Sequence, residues 1–214
     1  MTPNPPFFLK RFVLGPLDNI VYLLGDPVTK EMAVIDPAWN VPLLCEEAEK
    51  EGYRITMALL THAHPDHVNG LSELLARYAV PVYLSAYEFE LFVPKVDGLL
   101  RTVDQQVIRL GEMDIRCIWT PGHSPGCQCF LIGSHLITGD TVFVDGCGHC
   151  KLPGADVRTL YRSLYQIVMR LPDETVIYPG HHYGHAVTDT LGHQKQVNLY
   201  LLCKSEAEFV EKRS

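Results

Sequence analysis

Apolar and polar positions divide this chain into two successive β-rich halves. Residues 7–14 read as a strand, Gly15-Pro16-Leu17-Asp18 as a turn, 19–25 as a second strand and 31–36 as a third. Their short connections make them antiparallel neighbours. Within 42–51, Leu43, Leu44, Glu47, Ala48 and Glu51 fall at helical spacing, and Gly52 ends that helix. The run 55–60 reads as a buried strand. Leu71, Leu74 and Leu75 then place a helix over 68–78. A strand over 80–84 follows, then a short helix over 85–92 capped by Ser85. The aperiodic stretch 95–105 reads as loop. In the second half, 107–110, 115–119, 128–132 and 136–138 read as strands. A helix spans 157–171 before Pro172, the last strand is 175–178, and a tail helix over 191–201 precedes the charged segment 206–213. A strand meander, then strands alternating with helices, and the same again after residue 105, predict an α+β chain. The expected architecture is an αββα sandwich: two mixed sheets face to face, helices on the outer faces, and one domain over 1–214.

The buried run 55–60 ends in Thr61-His62-Ala63-His64-Pro65-Asp66-His67, which sets three imidazoles and a carboxylate within six residues. On an extended chain His62 and His64 leave the same face. Asp66 and His67 follow the turn into the helix and point elsewhere, a geometry that suits two neighbouring metal ions. Imidazole and carboxylate are both common metal ligands. Three later segments repeat the design of a strand end, a glycine-bearing turn and one ligand. They are Thr120-Pro121-Gly122-His123, Thr138-Gly139-Asp140 and Tyr178-Pro179-Gly180-His181. His62, His64 and His123 are expected to hold one metal and Asp66, His67 and His181 a second, with Asp140 as a bridge. A water shared by two divalent ions becomes a nucleophile near neutral pH.

Composition narrows the setting. At 214 residues with 47% hydrophobic and 20% charged content, the chain has the make-up of a soluble globular protein. A net charge of −7 and the lack of any lysine or arginine cluster argue against nucleic acid or an anionic membrane as partner. The start, Met1-Thr2-Pro3-Asn4-Pro5-Pro6, has no basic segment followed by an apolar core, so no secretory signal is expected. Seven cysteines without the spacing of a disulfide scaffold indicate reduced thiols and a cytoplasmic location.

Taken together, Thr61–His67, His123, Asp140 and His181 resemble the metallo-β-lactamase superfamily. Asp145-Gly146-Cys147-Gly148, Leu171-Pro172-Asp173-Glu174-Thr175 and Tyr178-Pro179-Gly180-His181 resemble its glyoxalase II and persulfide dioxygenase branch. The resemblance spans nearly the whole chain and implies the αββα fold, the seven metal ligands named above, and Asp66 as a catalytic carboxylate. It also implies substrate contacts at Cys147, Gly148, His149 and Tyr183. Two departures stand out. Most of the C-terminal helical region with which glyoxalase II binds glutathione has no counterpart here. The family's basic residue after Gly-Cys-Gly, an arginine in persulfide dioxygenases, is His149.

The expected reaction is hydrolysis of an acyl thioester, small or carrier-bound, by a metal-bridging hydroxide, with two divalent ions, zinc foremost and iron as the other choice. A thiolate leaves readily, so no dedicated general acid is needed. The alternative is a mononuclear iron persulfide dioxygenase using His62 or His64, His123 and Asp140. Cys147-Gly148-His149-Cys150 has thiol–disulfide spacing, but no helix starts directly behind it as such a centre requires. A non-catalytic binding module is the least favoured reading, because all seven ligand positions carry competent residues. His135, His182, His185 and His193 read as surface or supporting residues, and Trp39 and Trp119 as packing residues, with Trp39 near enough in sequence to a strand end to reach the site. Tyr161, Leu164 and Tyr165 read as one helix face. Whether the chain is a monomer or a homodimer stays open, as do the acyl group and its thiol carrier.

Overall fold

The computed structural model describes residues 6–213. The lead segment on which the expectation of no secretory signal rests lies, but for Pro6, outside the described residues.

Strand pattern explains the layering. The first sheet runs β1 (Phe8–Leu14), β2 (Asn19–Gly25), β3 (Glu31–Ile35), β4 (Arg54–Leu59), β5 (Val82–Ser85) and β6 (Leu99–Thr102), in that spatial order. Along β2 every residue is buried, and alternate side chains serve different cores. Ile20, Tyr22 and Leu24 enter the core between the sheets, while Val21 and Leu23 face the helices outside. A strand covered on both faces reads as a continuous apolar run.

The first three strands are antiparallel and the last three joins are parallel. A parallel join needs a crossover. Helix α1 (Val41–Lys50) supplies the crossover into β4, and α2 (Pro65–Val68) with α3 (Leu71–Arg77) the one into β5. Asn40 caps α1 by accepting from the Leu43 N–H at 3.2 Å. Leu44 and Ala48 of α1 and Leu71 and Leu74 of α3 fill the outer core over this sheet.

The second sheet contains β7 (Val107–Leu110), β8 (Met113–Trp119), β9 (Gln128–Ile132), β10 (His135–Gly139), β13 (Val176–Pro179) and β14 (Asp189–Thr190), in the order β14-β13-β10-β9-β8-β7. It is mixed, β10 and β13 being its parallel pair. Between them β11 (Val142–Phe143) and β12 (Gly146–Cys147) form a separate ribbon. Helices α4 (Val157–Arg162), α5 (Leu191–Val197) and α6 (Glu206–Arg213) cover the outer face through Leu160, Leu191 and Phe209. The result is the αββα sandwich with two mixed sheets that the sequence predicts.

Several boundaries move. The stretch 95–105 contains β6, half-exposed on the sheet edge, where one uncovered face erases the apolar period. The expected helix at 85–92 is a series of turns that turns Glu88 inward. The helix over 68–78 breaks at Gly70, and the tail helix stops at Val197. The helix over 157–171 continues past α4 as a wide turn, Ser163–Ile167, and a tight one, Val168–Arg170. His135, expected on the surface, is buried and shares a 2.9 Å hydrogen bond with the Tyr178 hydroxyl. Trp119 packs against Tyr87, and Tyr161 stacks on Tyr165, as helix and packing faces should.

Candidate metal centre

Four strand ends deliver the site to one edge of the sandwich. β4 leads to His62 and His64, β8 to His123, β10 to Asp140 and β13 to His181; Asp66 and His67 lie in α2. Gly139 turns with φ +48°, a conformation that suits glycine, as β10 gives way to Asp140. Gly180 packs so tightly that a Cβ there would strike Asp140 Oδ1 and the His67 ring.

The candidate ligands gather in two trios. Donor atoms of His62, His64 and His123 lie within 4.8 Å of one another, and so do those of Asp66, His67 and His181. Asp140 reaches both: its Oδ2 is 3.4 Å from His123 Nε2 and 3.2 Å from His181 Nε2, and its Oδ1 is 3.4 Å from His67 Nε2.

Outer hydrogen bonds settle which nitrogens face inward. His67 Nδ1 donates to Asp36 Oδ2 at 3.1 Å, His123 Nδ1 to the His149 carbonyl at 2.6 Å, and His181 Nδ1 to the Leu17 carbonyl at 2.8 Å. Each acceptor has only lone pairs to offer, so in the neutral ring each Nε2 turns a lone pair into the site. The Thr61 hydroxyl donates to Asp36 Oδ2 at 2.6 Å and so accepts from His62 Nδ1 at 3.1 Å, which leaves His62 Nε2 bare as well. Buried His62 Nε2, His64 Nε2 and Asp140 Oδ1 have no hydrogen-bond partner. Unpaired buried polar atoms are rare, and three in one cluster of ligand-type groups fit bound cations.

The electrostatics divide along the same line. Burial drives the His62 imidazole well below its ordinary value and His64 down to about 3, so both stay neutral and available as ligands. Burial also opposes charge on His67 and His181, but Asp140 outweighs it and raises both, with Asp36 adding to the effect at His67. Positive charge is thus favoured on the Asp66–His67–His181 side. Asp140 itself is held well below the usual carboxylate range, because His67 and His181 overcome the penalty of its burial.

Three supporting residues escaped the reading of the sequence. Asp36 adopts φ +51° at the end of β3 and accepts from Thr61 and His67. The segment Ile35-Asp36-Pro37 carries the same signal as the ligands, a polar residue directly after an apolar strand. Asn19 donates to Asp66 Oδ2 at 2.9 Å and accepts from the Trp39 indole at 3.0 Å, so Trp39 does reach the site, through Asn19. Buried Glu88 joins two ligand loops, accepting from the Ala63 N–H at 3.1 Å and the Ser124 hydroxyl at 3.0 Å. Nothing in the sequence marks Asn19 or Glu88.

A cleft of about 530 Å³ opens over the centre and is lined by Phe143, Cys147, His149, Leu152, Tyr183 and Arg213, among others. Three of the four expected substrate contacts therefore border it. Gly148 contributes backbone and packs where a Cβ would collide with the Asp140 carbonyl. Tyr183 stacks on His181 with ring centres 4.8 Å apart. Burial pushes the Cys147 thiol up to about 12 and Cys150 up to about 11, so neither is a thiolate near neutral pH.

Residues 14–181, most of the chain and all seven candidate ligands, match the family model of the metallo-beta-lactamase superfamily. The chain belongs to that superfamily. Among its relatives, the probable polyketide biosynthesis zinc-dependent hydrolase BaeB of Bacillus velezensis is 31% identical over 196 residues, 92% of this chain and 87% of that one. Human mitochondrial persulfide dioxygenase ETHE1 is 31% identical over 212 residues, 96% of this chain and 80% of that one. In three dimensions the crystal structure of ETHE1 from Myxococcus xanthus superposes with a TM-score of 0.88 at 26% identity, over 95% of this chain and 88% of that one. The chain thus sits in the branch that contains hydrolases and persulfide dioxygenases. Among the described residues, no helix is long and apolar enough to cross a membrane.

Proposed function

We propose that this protein is a binuclear metallohydrolase of acyl thioesters, small or carrier-bound. The observation that carries the reading is the pair of ligand trios joined by Asp140. His62, His64 and His123 would hold one ion, Asp66, His67 and His181 a second, and Asp140 would bridge them. Zinc is the proposed metal. Divalent ions bound there supply Lewis acidity, bringing water toward ionisation near neutral pH and polarising a carbonyl.

The chain's own groups define what else the site does. Asn19 steers the Asp66 carboxylate, and Asp36 holds His67 and, through Thr61, His62. Besides the candidate ligands, the cleft offers a thiol at Cys147 and a phenol at Tyr183, each pushed by burial up to about 12. Both keep their protons at neutral pH and are poor proton donors. A substrate whose leaving group departs as an anion suits such a site, and a thiolate does so. All seven cysteines are free, which fits a reducing compartment such as the cytosol.

One observation favours a second reading. Identity to human persulfide dioxygenase equals that to the hydrolase. A single iron held by His62 or His64, His123 and Asp140 would then suffice. The two readings separate in one experiment. Protein loaded with zinc or with iron is assayed for thiol release from acyl glutathione, acyl coenzyme A and acyl pantetheine, and for oxygen uptake with glutathione persulfide. Thiol release supports the hydrolase; oxygen uptake with no thiol release replaces it by the dioxygenase.

A further inference from the structure

The β11–β12 ribbon stands apart from both large sheets, and its strands are joined by only two residue pairs. A hairpin that short does not hold its own shape in water. Yet it forms one wall of the metal cleft, through Phe143, Gly146 and Cys147. The Phe143 ring meets the rings of His181 and Tyr183 edge-on, with centres 5.8 and 5.5 Å away.

Two amide side chains fix the ribbon from behind. Gln194 lies in α5 and Asn198 caps its C-terminus, both beyond residue 181, where the family match ends. Both are fully buried. Asn198 Nδ2 donates to the Phe143 carbonyl at 3.2 Å, the Gly146 carbonyl at 3.0 Å and Gln194 Oε1 at 3.1 Å. Gln194 Oε1 also accepts from the Asp145 N–H at 2.7 Å, at the tip of the ribbon, and its Nε2 donates to Asp189 Oδ2 at 2.8 Å. The Tyr200 N–H donates to Asn198 Oδ1 at 3.0 Å, which fixes the way that amide points. Buried amides are unfavourable unless their hydrogen bonds are made. Apolar residues in their place would cover the ribbon but leave its backbone groups unpaired.

We propose that Gln194 and Asn198 are positioning residues for the substrate. They hold the ribbon so that Phe143 stands as a fixed wall of the cleft, and so set how well a substrate fits over the metals. Neither residue lines the cleft itself. The proposal goes beyond thioester hydrolysis and does not depend on it, since a persulfide would meet the same wall.

Cys147 reports on the ribbon, because its thiol is buried only while the ribbon is in place. Gln194→Met and Asn198→Leu keep side-chain size and remove the hydrogen bonds. In the metal-loaded protein each should raise alkylation of Cys147 by iodoacetamide about 10-fold, the effect of one lost buried hydrogen bond on a local opening. Peptide mass spectrometry reads it, and fully buried Cys129 should stay unmodified as the control for folding. KM should rise about 5- to 10-fold while kcat and metal content stay within about 2-fold. The split is read in whichever of the thiol-release and oxygen-uptake assays the protein catalyses, so failure of thiol release alone fells the hydrolase reading and not this one. A second measurement needs no substitution. The Asp145 N–H lies at an exposed turn, and bonded to Gln194 it should exchange with solvent at least about 100-fold more slowly than an unstructured amide, by NMR. Fast exchange there, or unchanged Cys147 reactivity in both variants, overturns the proposal. So does raised reactivity with an unchanged KM, or a joint fall in kcat and metal content, since the amides would then support the fold or the metal centre rather than the wall.

Discussion

The Nε2 atoms of His67 and His181 lie 3.1 Å apart, and each ring has already committed its Nδ1 proton to an acceptor elsewhere. With both rings neutral, two lone pairs at that distance repel, and a cation or a proton held between them relieves the repulsion. Either ring is therefore expected to be needed for one metal and dispensable for the other. His67→Ala or His181→Ala should lose about half of the bound metal by elemental analysis, for a two-ion site. His62→Ala should lose the other half. Loss of all metal from a single change would show that the two trios are not separate sites.

Asp36 offers a test of the outer hydrogen bonds. Its φ of +51° suits asparagine, so Asp36→Asn leaves the backbone unstrained. The substitution removes the charge that Thr61 and His67 share. Metal affinity should fall about 10- to 100-fold, read by competition with a chelator. An unchanged affinity would mean that the histidines are oriented by packing alone.

Glu88 ties the loop of His62 and His64 to the loop of His123. Glu88→Ala should lower stability by about 1–3 kcal/mol by stranding the buried Ala63 N–H, measured by denaturant unfolding. A double-mutant cycle with Ser124→Ala should give a coupling above about 0.5 kcal/mol. Additive losses would show that the carboxylate does not link the two loops.

A pH dependence is expected far from the metals. Asp26 accepts from the Glu112 N–H at 2.6 Å, the Val28 N–H at 2.9 Å and the Thr29 hydroxyl at 3.0 Å, pinning the β2–β3 turn to the β7–β8 turn. The Glu112 bond leads in lowering its carboxyl below the usual range. A lowered folded value means the stabilisation is complete above the unfolded value of about 4 and is lost as pH falls through the folded one. Asp26→Asn should cost about 1–2 kcal/mol at neutral pH. That gap should close as unfolding is repeated at progressively lower pH below about 4. A gap independent of pH would contradict the assignment.

Cys150 donates to the Gly122 carbonyl at 3.3 Å, and burial keeps its thiol protonated near neutral pH. Cys150→Ser can make the same hydrogen bond. Thiol release from acyl thioesters should stay within about 2-fold of the unaltered protein, an effect of a few tenths of a kcal/mol. Near-total loss would return thiol chemistry to this loop.

The sequence alone determined the layered fold and which residues stand as candidate ligands, for two reasons. A strand covered on both faces leaves an apolar run, as in β2 and β4, and the candidate ligands His62, His123, Asp140 and His181 stand shortly behind strand ends. Both signals are local, so neighbouring residues carry them. Tertiary structure alone decided the rest, because it depends on segments that meet only after folding. Asn19 finds Asp66 across 47 positions and Arg213 finds Gly148 across 65. The turns around Glu88 replace a locally plausible helix, since the ligand loops need a buried acceptor there. Edge strand β6 is held by backbone pairing with β5, a force that leaves no apolar period to read. His135 carried no pattern either, and only the approach of β13 to β10 supplied the Tyr178 hydroxyl that lets it be buried.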